Sequence, residues 1–251
     1  MSIESSFDPL GKEIISAKNT IRRIDNFPNT FIVVFSHKFF LFFLEKYNAK
    51  NIGHLKAGGQ KYPIYQFEHK GVSLGFFHSM QGGASAAAFL EELIALGAEK
   101  LLYFGSCGVL DKKITEGRLL IPTSAYRDEG VSYHYVKASD YLDIKTAPKL
   151  ITIFNDLHIP YNTTKTWTTD AFYRETEQNY NKRKQEGCGT VEMECASIMA
   201  VAQFRNNEVY QFLYAADCLD SNNWDQRILG SMPSDMREKI LLISIEVAIR
   251  L

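Results

Sequence analysis

Apolar runs of strand length alternate with longer segments of helical periodicity along most of this chain. Phe31–Phe35 (FIVVF) and Val72–Phe77 (VSLGFF) read as buried strands. Ala84–Leu96 (ASAAAFLEELIAL) is rich in helix formers, and Gly97 supplies the stop. Lys100–Phe104 (KLLYF) returns as a strand, and Arg118–Ile121, leading into Pro122, reads as one more. Cys195–Arg205 (CASIMAVAQFR) has helical periodicity, Val209–Ala215 (VYQFLYA) reads as a buried strand, and Ser234–Leu251 as an amphipathic helix. This order predicts an α/β domain on a mainly parallel sheet. In such sheets ligands bind beyond the carboxyl ends of the strands. The chemistry is therefore expected near Ser36, Phe77–Ser85, Gly105–Gly108, Glu192–Glu194 and Asp217, where the chain carries its least ordinary residues.

The 251 residues suit one domain, 1–251, with 1–30 as an N-terminal extension. No repeat or linker divides them. Lys and Arg number 28 against 29 Asp and Glu, a net charge of −1, which argues against a nucleic-acid binder held by bulk electrostatics. Residues Met1 to Asp8 lack the basic and apolar regions of a signal peptide. The most apolar stretch, Phe31 to Leu44, is broken by Ser36-His37-Lys38, short of the roughly 18 apolar residues of a membrane span. Cys107, Cys188, Cys195 and Cys218 form no Cys-x-x-Cys pair, and no His/Cys pair has zinc-ligand spacing. The expectation is a cytoplasmic protein with reduced thiols, no metal site and no membrane contact.

Five segments carry candidate chemistry. Met80-Gln81-Gly82-Gly83-Ala84-Ser85 joins a strand to a helix, either as a plain tight turn or as a place where backbone N–H groups meet a ligand. Gly105-Ser106-Cys107-Gly108 reads as a second turn, suited to a polar nest for phosphate or sugar oxygens, with a nucleophilic Cys107 as the alternative. Val191-Glu192-Met193-Glu194-Cys195-Ala196 sets two carboxylates on one face of an extended segment before an apolar helix. They are either ordinary helix-start charge or buried acceptors for sugar hydroxyls. Asp217 ends a buried run, as a site acid of raised pKa or as a cap. In Asp170-Ala171-Phe172-Tyr173, the two aromatics offer a platform for a flat ring, or simply core and surface.

Together these segments, with Arg127-Asp128-Glu129-Gly130-Val131-Ser132-Tyr133-His134-Tyr135, resemble the nucleoside phosphorylase superfamily of the purine nucleoside and uridine phosphorylase type. The resemblance runs from the glycine loop after Phe77 to the C-terminal helix. It implies a single α/β domain with a central mixed, mostly parallel β-sheet flanked by helices. Ser106 would touch phosphate, and Cys107 and Gly108 would line the base pocket. Phe172 and Tyr173 would pack along the base. Met193 and Glu194 would hold the ribose, with Glu192 at the base side. Asp217 matches the acid of the purine branch, which hydrogen-bonds or protonates the ring. A carboxylate at the sugar and an acid at the base would stabilise the two charges that develop as an N-glycosidic bond breaks.

The chain departs from the family at the phosphate. Where the family has a Gly-Asp-Pro-x-Arg loop, it reads Phe35-Ser36-His37-Lys38-Phe39, and Tyr103 stands where an Arg precedes the Gly-Ser-Cys-Gly segment. His37, Lys38 and Arg127 are the substitute cations. Arg227 is the candidate for the arginine that follows the catalytic Asp, although Trp224 intervenes and the spacing is short. His134 follows a family loop pattern without an assigned role. The resulting expectation is a phosphorylase (a pentosyltransferase of nucleotide salvage) that acts on a purine nucleoside with phosphate as co-substrate and no other cofactor. It would be a homo-oligomer, dimer or hexamer. A hydrolytic nucleosidase and a non-catalytic nucleoside-binding protein are the alternatives.

Overall fold

A computed structural model describes residues 2–115, 119–220 and 223–251. Arg118, the first residue of one expected strand, lies outside them. The strands are β1 Thr30–Val34, β2 Lys50–Ala57, β3 Gln60–His69, β4 Val72–His78, β5 Lys100–Val109, β6 Leu119–Asp128, β7 Tyr141–Asp143, β8 Tyr161–Thr169, β9 Cys188–Glu192 and β10 Glu208–Cys218. The helices are α1 Ala17–Thr20, α2 His37–Lys46, α3 Gly83–Leu96, α4 Lys112–Thr115, α5 Ser132–Tyr135, α6 Ala147–Asp156, α7 Glu177–Gln185, α8 Cys195–Arg205 and α9 Ser234–Ala248. Two 3-10 turns, Ile3–Ser5 and Phe172–Arg174, complete the set.

The strands form one mixed sheet in an α/β domain, as the alternation requires. Its centre, β4–β1–β5–β10, is parallel, and so is the β6–β8–β9 run. The β2–β3–β4 edge is antiparallel. Short antiparallel contacts, Gly108 with Val191 and Leu213 with Leu120, join β5 to β9 and β10 to β6, so five strands close on themselves.

Parallel strands covered on both faces read as continuous apolar runs, and β1 is buried along Phe31–Val34. Alternation along β4 shows the two layers directly. Phe76 stacks on Phe43 of α2 with ring centroids 3.7 Å apart, while Phe77, pointing the other way, meets Phe89 of α3 edge-on at 5.2 Å. Phe104 of β5 joins Phe39 of α2 and Phe212 of β10, and Phe212 meets Phe154 of α6.

Two expected boundaries move. Gly105-Ser106-Cys107-Gly108 is not a turn. It continues β5, because β10 runs alongside it in parallel register from Leu213↔Gly105 to Asp217↔Gly108. Likewise β6 passes through Pro122 to Asp128, absorbing the proline at an irregularity between Pro122 and Ser124. The helix expected over 84–96 forms, and Gly97 ends it with φ 128°, a conformation that favours glycine.

Candidate active site

The parallel centre brings the ends of β1, β4, β5 and β10 to one edge of the sheet. A cavity of about 650 Å³ opens there, bordered by Phe35–Phe39, His78–Gln81, Ser106 and the segment before α9.

The glycine loop and the carboxylate pair meet beside it. Gly82 takes φ 91°, which frees the chain to turn from β4 into α3. A Cβ on Gly83 would fall 2.2 Å from Ser197 Oγ, so only glycine lets α3 lie this close to α8. The approach carries the Gly82 N–H to Glu194 Oε1, 2.7 Å away. Glu194 is buried, and burial and the neighbouring Glu192 charge push its pKa up to about 8.

The two carboxylates do not share a face, as an extended segment would have required. β9 ends at Glu192, and Glu194 caps α8 in a non-extended conformation. Glu192 turns inward and accepts from the Glu194 and Cys195 N–H groups (2.8 and 2.7 Å) and from the Thr168 hydroxyl (2.6 Å). Its oxygens thus accept from the start of α8 and from β8, in the position of a helix-start carboxylate. Burial raises its pKa to about 7 against those donors.

Asp217 sits across the sheet from Gly108, with Val191 on the glycine's other side. A Cβ on Gly108 would lie 2.9 Å from both Val191 Cγ1 and Leu219 Cδ1, and 3.5 Å from Asp217 Oδ1. This glycine therefore lets the acid of β10 lie close to the strand that leads to Glu194. Asp217 Oδ2 accepts from Trp224 Nε1 at 2.7 Å, so the tryptophan that interrupts the expected spacing is a partner of the acid. Burial raises the Asp217 pKa, while Trp224 and the Arg227 charge oppose the rise. Arg227 thus acts on the acid it was expected to accompany, from an exposed turn at φ 45°. Glu175, which the sequence reading passed over, is pushed up to about 7 by burial and by the charge of Asp217.

His37 and Lys38 start α2 and, with Ser106, border the cavity. Ser36 caps that helix by accepting from the Phe39 N–H. The positions where arginines were missed are filled by aromatics. Tyr103 is fully buried with its hydroxyl unpartnered, and its ring stacks with Phe35 at 5.8 Å. Phe35 lies over Gly105, 3.2 Å from where a Cβ would stand. His78, at the end of β4, holds the Phe35 carbonyl through Nε2 at 3.2 Å and has a lowered pKa because of burial.

Arg127 is not at the cavity. It is 2% exposed and spends its donors on Ser132 Oγ (2.7 Å) and on the Val136, Lys137 and Ser139 carbonyls, with Tyr133 against its guanidinium at 4.1 Å. Glu129 accepts from the Val131 and Ser132 N–H groups, from Ser132 Oγ, and from Ser197 Oγ of α8 at 2.5 Å. The Arg127–Tyr135 segment is therefore a clamp that holds α8 against the loop. His134 is exposed and borders a separate cleft near Asp8 and Gly11.

Cys107 is buried with its thiol against the Tyr214 carbonyl, and burial next to the Glu192 and Asp217 charges raises its pKa well above the ordinary value, which disfavours the thiolate a nucleophile requires. Phe172 and Tyr173 do not line the cavity in a single copy. They are 48% and 89% exposed and pack on each other, with centroids 4.0 Å apart. Met193 is half-buried, with its carbonyl facing Gly83. Among the described residues no cluster of three His, Cys, Asp or Glu could hold a metal ion. No helix among them is long and apolar enough to cross a membrane.

The missed residues have a common cause. Glu175 and His78 carry no local pattern that marks them, and only the fold shows what faces them.

The phosphorylase superfamily model matches residues 30–231. Guanosine phosphorylase from Halorubrum lacusprofundi is 28% identical over 151 residues, 59% of this chain and 63% of the relative. Uridine phosphorylase from Thermococcus kodakarensis is 33% identical over 116 residues, 45% of this chain and 42% of the relative. The chain thus spans about half of the length of these curated relatives. Among solved structures, the AMP nucleosidase from Bacteroides thetaiotaomicron superposes with a TM-score of 0.70 at 19% identity, over 90% of this chain and 89% of that one.

Proposed function

The chain belongs to the phosphorylase superfamily, and from that premise we propose that it cleaves the N-glycosidic bond of a purine nucleoside, with phosphate as acceptor. The observation that carries this reading is the approach of Asp217 to Gly108, together with Glu194 fixed to the Gly82 N–H in the loop that leads from the cavity wall into α3. As the bond breaks, the sugar becomes cationic and the base anionic. Glu194, held by the Gly82 N–H, would accept the sugar hydroxyls. Asp217, whose pKa burial raises, would act as the acid that gives a proton to the departing ring. Arg227 and Trp224 would adjust that acid, and phosphate would attack the anomeric carbon from the cavity side. Free base and sugar 1-phosphate are the products.

One observation favours a second reading, in which water replaces phosphate. Buried aromatics, Phe39 and Tyr103, stand where arginines were expected. The experiment is base release from a panel of purine and pyrimidine nucleosides, with and without inorganic phosphate. Release that requires phosphate and yields sugar 1-phosphate supports phosphorolysis. Release without it supports hydrolysis, and no release supports a nucleoside-binding protein. We read the chain as a homo-oligomer, since Phe172 and Tyr173 offer an apolar surface that a second copy would cover. Light scattering checks this directly.

A further inference from the structure

Two cations reach the cavity with no anionic partner. Lys38, in the first turn of α2, donates through Nζ to the Gly230 carbonyl. Arg237, in the first turn of α9, donates through Nη2 to the Met232 carbonyl at 3.1 Å and lies over the Phe42 ring. Among the described residues neither belongs to an ion pair, whereas Arg205, Arg183 and Lys184 all do. The wall of the cavity holds these two cations, the imidazoles of His37 and His78, and the hydroxyl of Ser106, and it includes no carboxylate. His37 and His78 stand side by side, ring centroids 5.2 Å apart. A cationic wall whose donors rest on neutral carbonyls of one loop has gained little of the binding that a charged acceptor would provide.

We propose that Lys38 and Arg237 together form the seat of a phosphate dianion. The cation contributed by α9 takes over from the arginines that β1 and β5 lack. Guanidinium and ammonium donors would converge on the dianion's oxygens in place of the Gly230 and Met232 carbonyls, with Ser106 as a neutral donor. Lys38 could be suspected from the sequence. Arg237 could not, because only the packing of α9 beside α2 brings it to this edge. The same chemistry fits free inorganic phosphate or the phosphate ester of a nucleotide. The first case rests on the phosphorolytic reading, and the second does not.

Calorimetric titration separates them. Inorganic phosphate and a nucleoside 5′-monophosphate are titrated into the full-length protein and into Lys38→Met, Arg237→Met, Arg237→Lys and Lys239→Met. Lys239 is exposed and does not border the cavity, so that variant is the control. The expected result is tenfold or greater weakening in Lys38→Met and Arg237→Met, a smaller loss in Arg237→Lys, and none in Lys239→Met. Nucleoside affinity should stay within about twofold throughout. Unchanged phosphate affinity in both methionine variants overturns the seat, as does failure of the unmodified protein to bind either ligand. Binding of the monophosphate alone, weakened by the same variants, keeps the seat for an ester and removes the phosphorolytic reading. Phosphate binding that the variants weaken, with no sugar 1-phosphate formed in an assay, also keeps the seat and removes that reading. Arg237→Lys retains the charge, so it reports on the seat even if Arg237→Met folds poorly.

Discussion

Glu194 Oε1 accepts the backbone N–H of Gly82 at 2.7 Å, which locks the start of α8 to the start of α3. One oxygen is thereby positioned by the fold. Glu194→Gln preserves the size and the acceptor to Gly82 but removes the ionisable carboxyl, whose anionic form would stabilise a cationic sugar. The expected loss in kcat/KM is on the order of 10²–10³. Steady-state kinetics with the best nucleoside of the panel check it. Activity within a few-fold of the unmodified protein would remove Glu194 from the mechanism.

The same burial predicts an inverse dependence of stability on pH. Glu194, Glu192 and Glu175 have native pKa values pushed up to about 8, 7 and 7 from an ordinary 4.5. Between those limits the native state holds protons that the unfolded chain has released. Stability therefore falls as pH rises from about 4.5 to about 8. Below 4.5 both states are protonated at these groups, and above 8 the penalty is complete. The melting temperature of the ligand-free protein should drop by several degrees between pH 5 and pH 8, and the slope should be shallower in Glu194→Gln. A flat or rising profile would show that these carboxyls are ionised at neutral pH without cost.

Much of this architecture is legible in the sequence because local and tertiary forces agree. The run before Gly97 has one apolar face and a glycine stop, and it folds as the helix it suggests. The Gly105–Gly108 segment misleads because two glycines resemble a turn when β10 is not in view. Neighbouring strands, not local propensity, extend β5 through it. Glu192 and Glu194 differ by a single backbone bend at the start of α8, which no spacing rule resolves. Arg127 has the composition of an anion ligand, yet Ser132 and three carbonyls claim its donors. Arg237 and Glu175 reach the site by long-range packing alone.

Asp217 provides the sharpest chemical test. Asp217→Asn keeps the acceptor for Trp224 Nε1 and removes the transferable proton. Its kcat should fall by roughly 10²–10⁴ with ordinary purine nucleosides. An N7-methylated purine nucleoside already carries a positive base and departs without protonation, so its loss should be far smaller. Equal losses for both substrates would show that Asp217 binds the base without protonating it.

Arg127 makes a contrasting prediction about stability. Arg127→Met strips the donors from Ser132 and from the carbonyls of 136–139, and it leaves the buried Glu129 without its nearby cation. Breaking a buried charged network in this way costs about 3–5 kcal/mol. Urea unfolding should show this loss, while the KM for phosphate of the fraction that folds stays unchanged. A raised phosphate KM with normal stability would return Arg127 to the anion site.

Gly83 separates shape from chemistry. In Gly83→Ala the new methyl would stand 2.2 Å from Ser197 Oγ and 3.0 Å from Ser197 Cβ, so α3 and α8 must part. Overpacking of this kind costs about 1–3 kcal/mol. The same displacement draws the Gly82 N–H away from Glu194, so the nucleoside KM should rise although no side chain that touches the sugar has changed. Adding Ser197→Gly removes both clashing atoms and should restore KM. Stability should not return with it, because a glycine inside α8 costs about 1 kcal/mol and Glu129 loses the Ser197 hydroxyl. Recovery of KM without recovery of stability is the pattern that identifies the α3–α8 approach as the device that sets the Glu194 carboxylate. If KM stays normal in Gly83→Ala, the Gly82–Glu194 hydrogen bond is a structural contact with no bearing on the sugar.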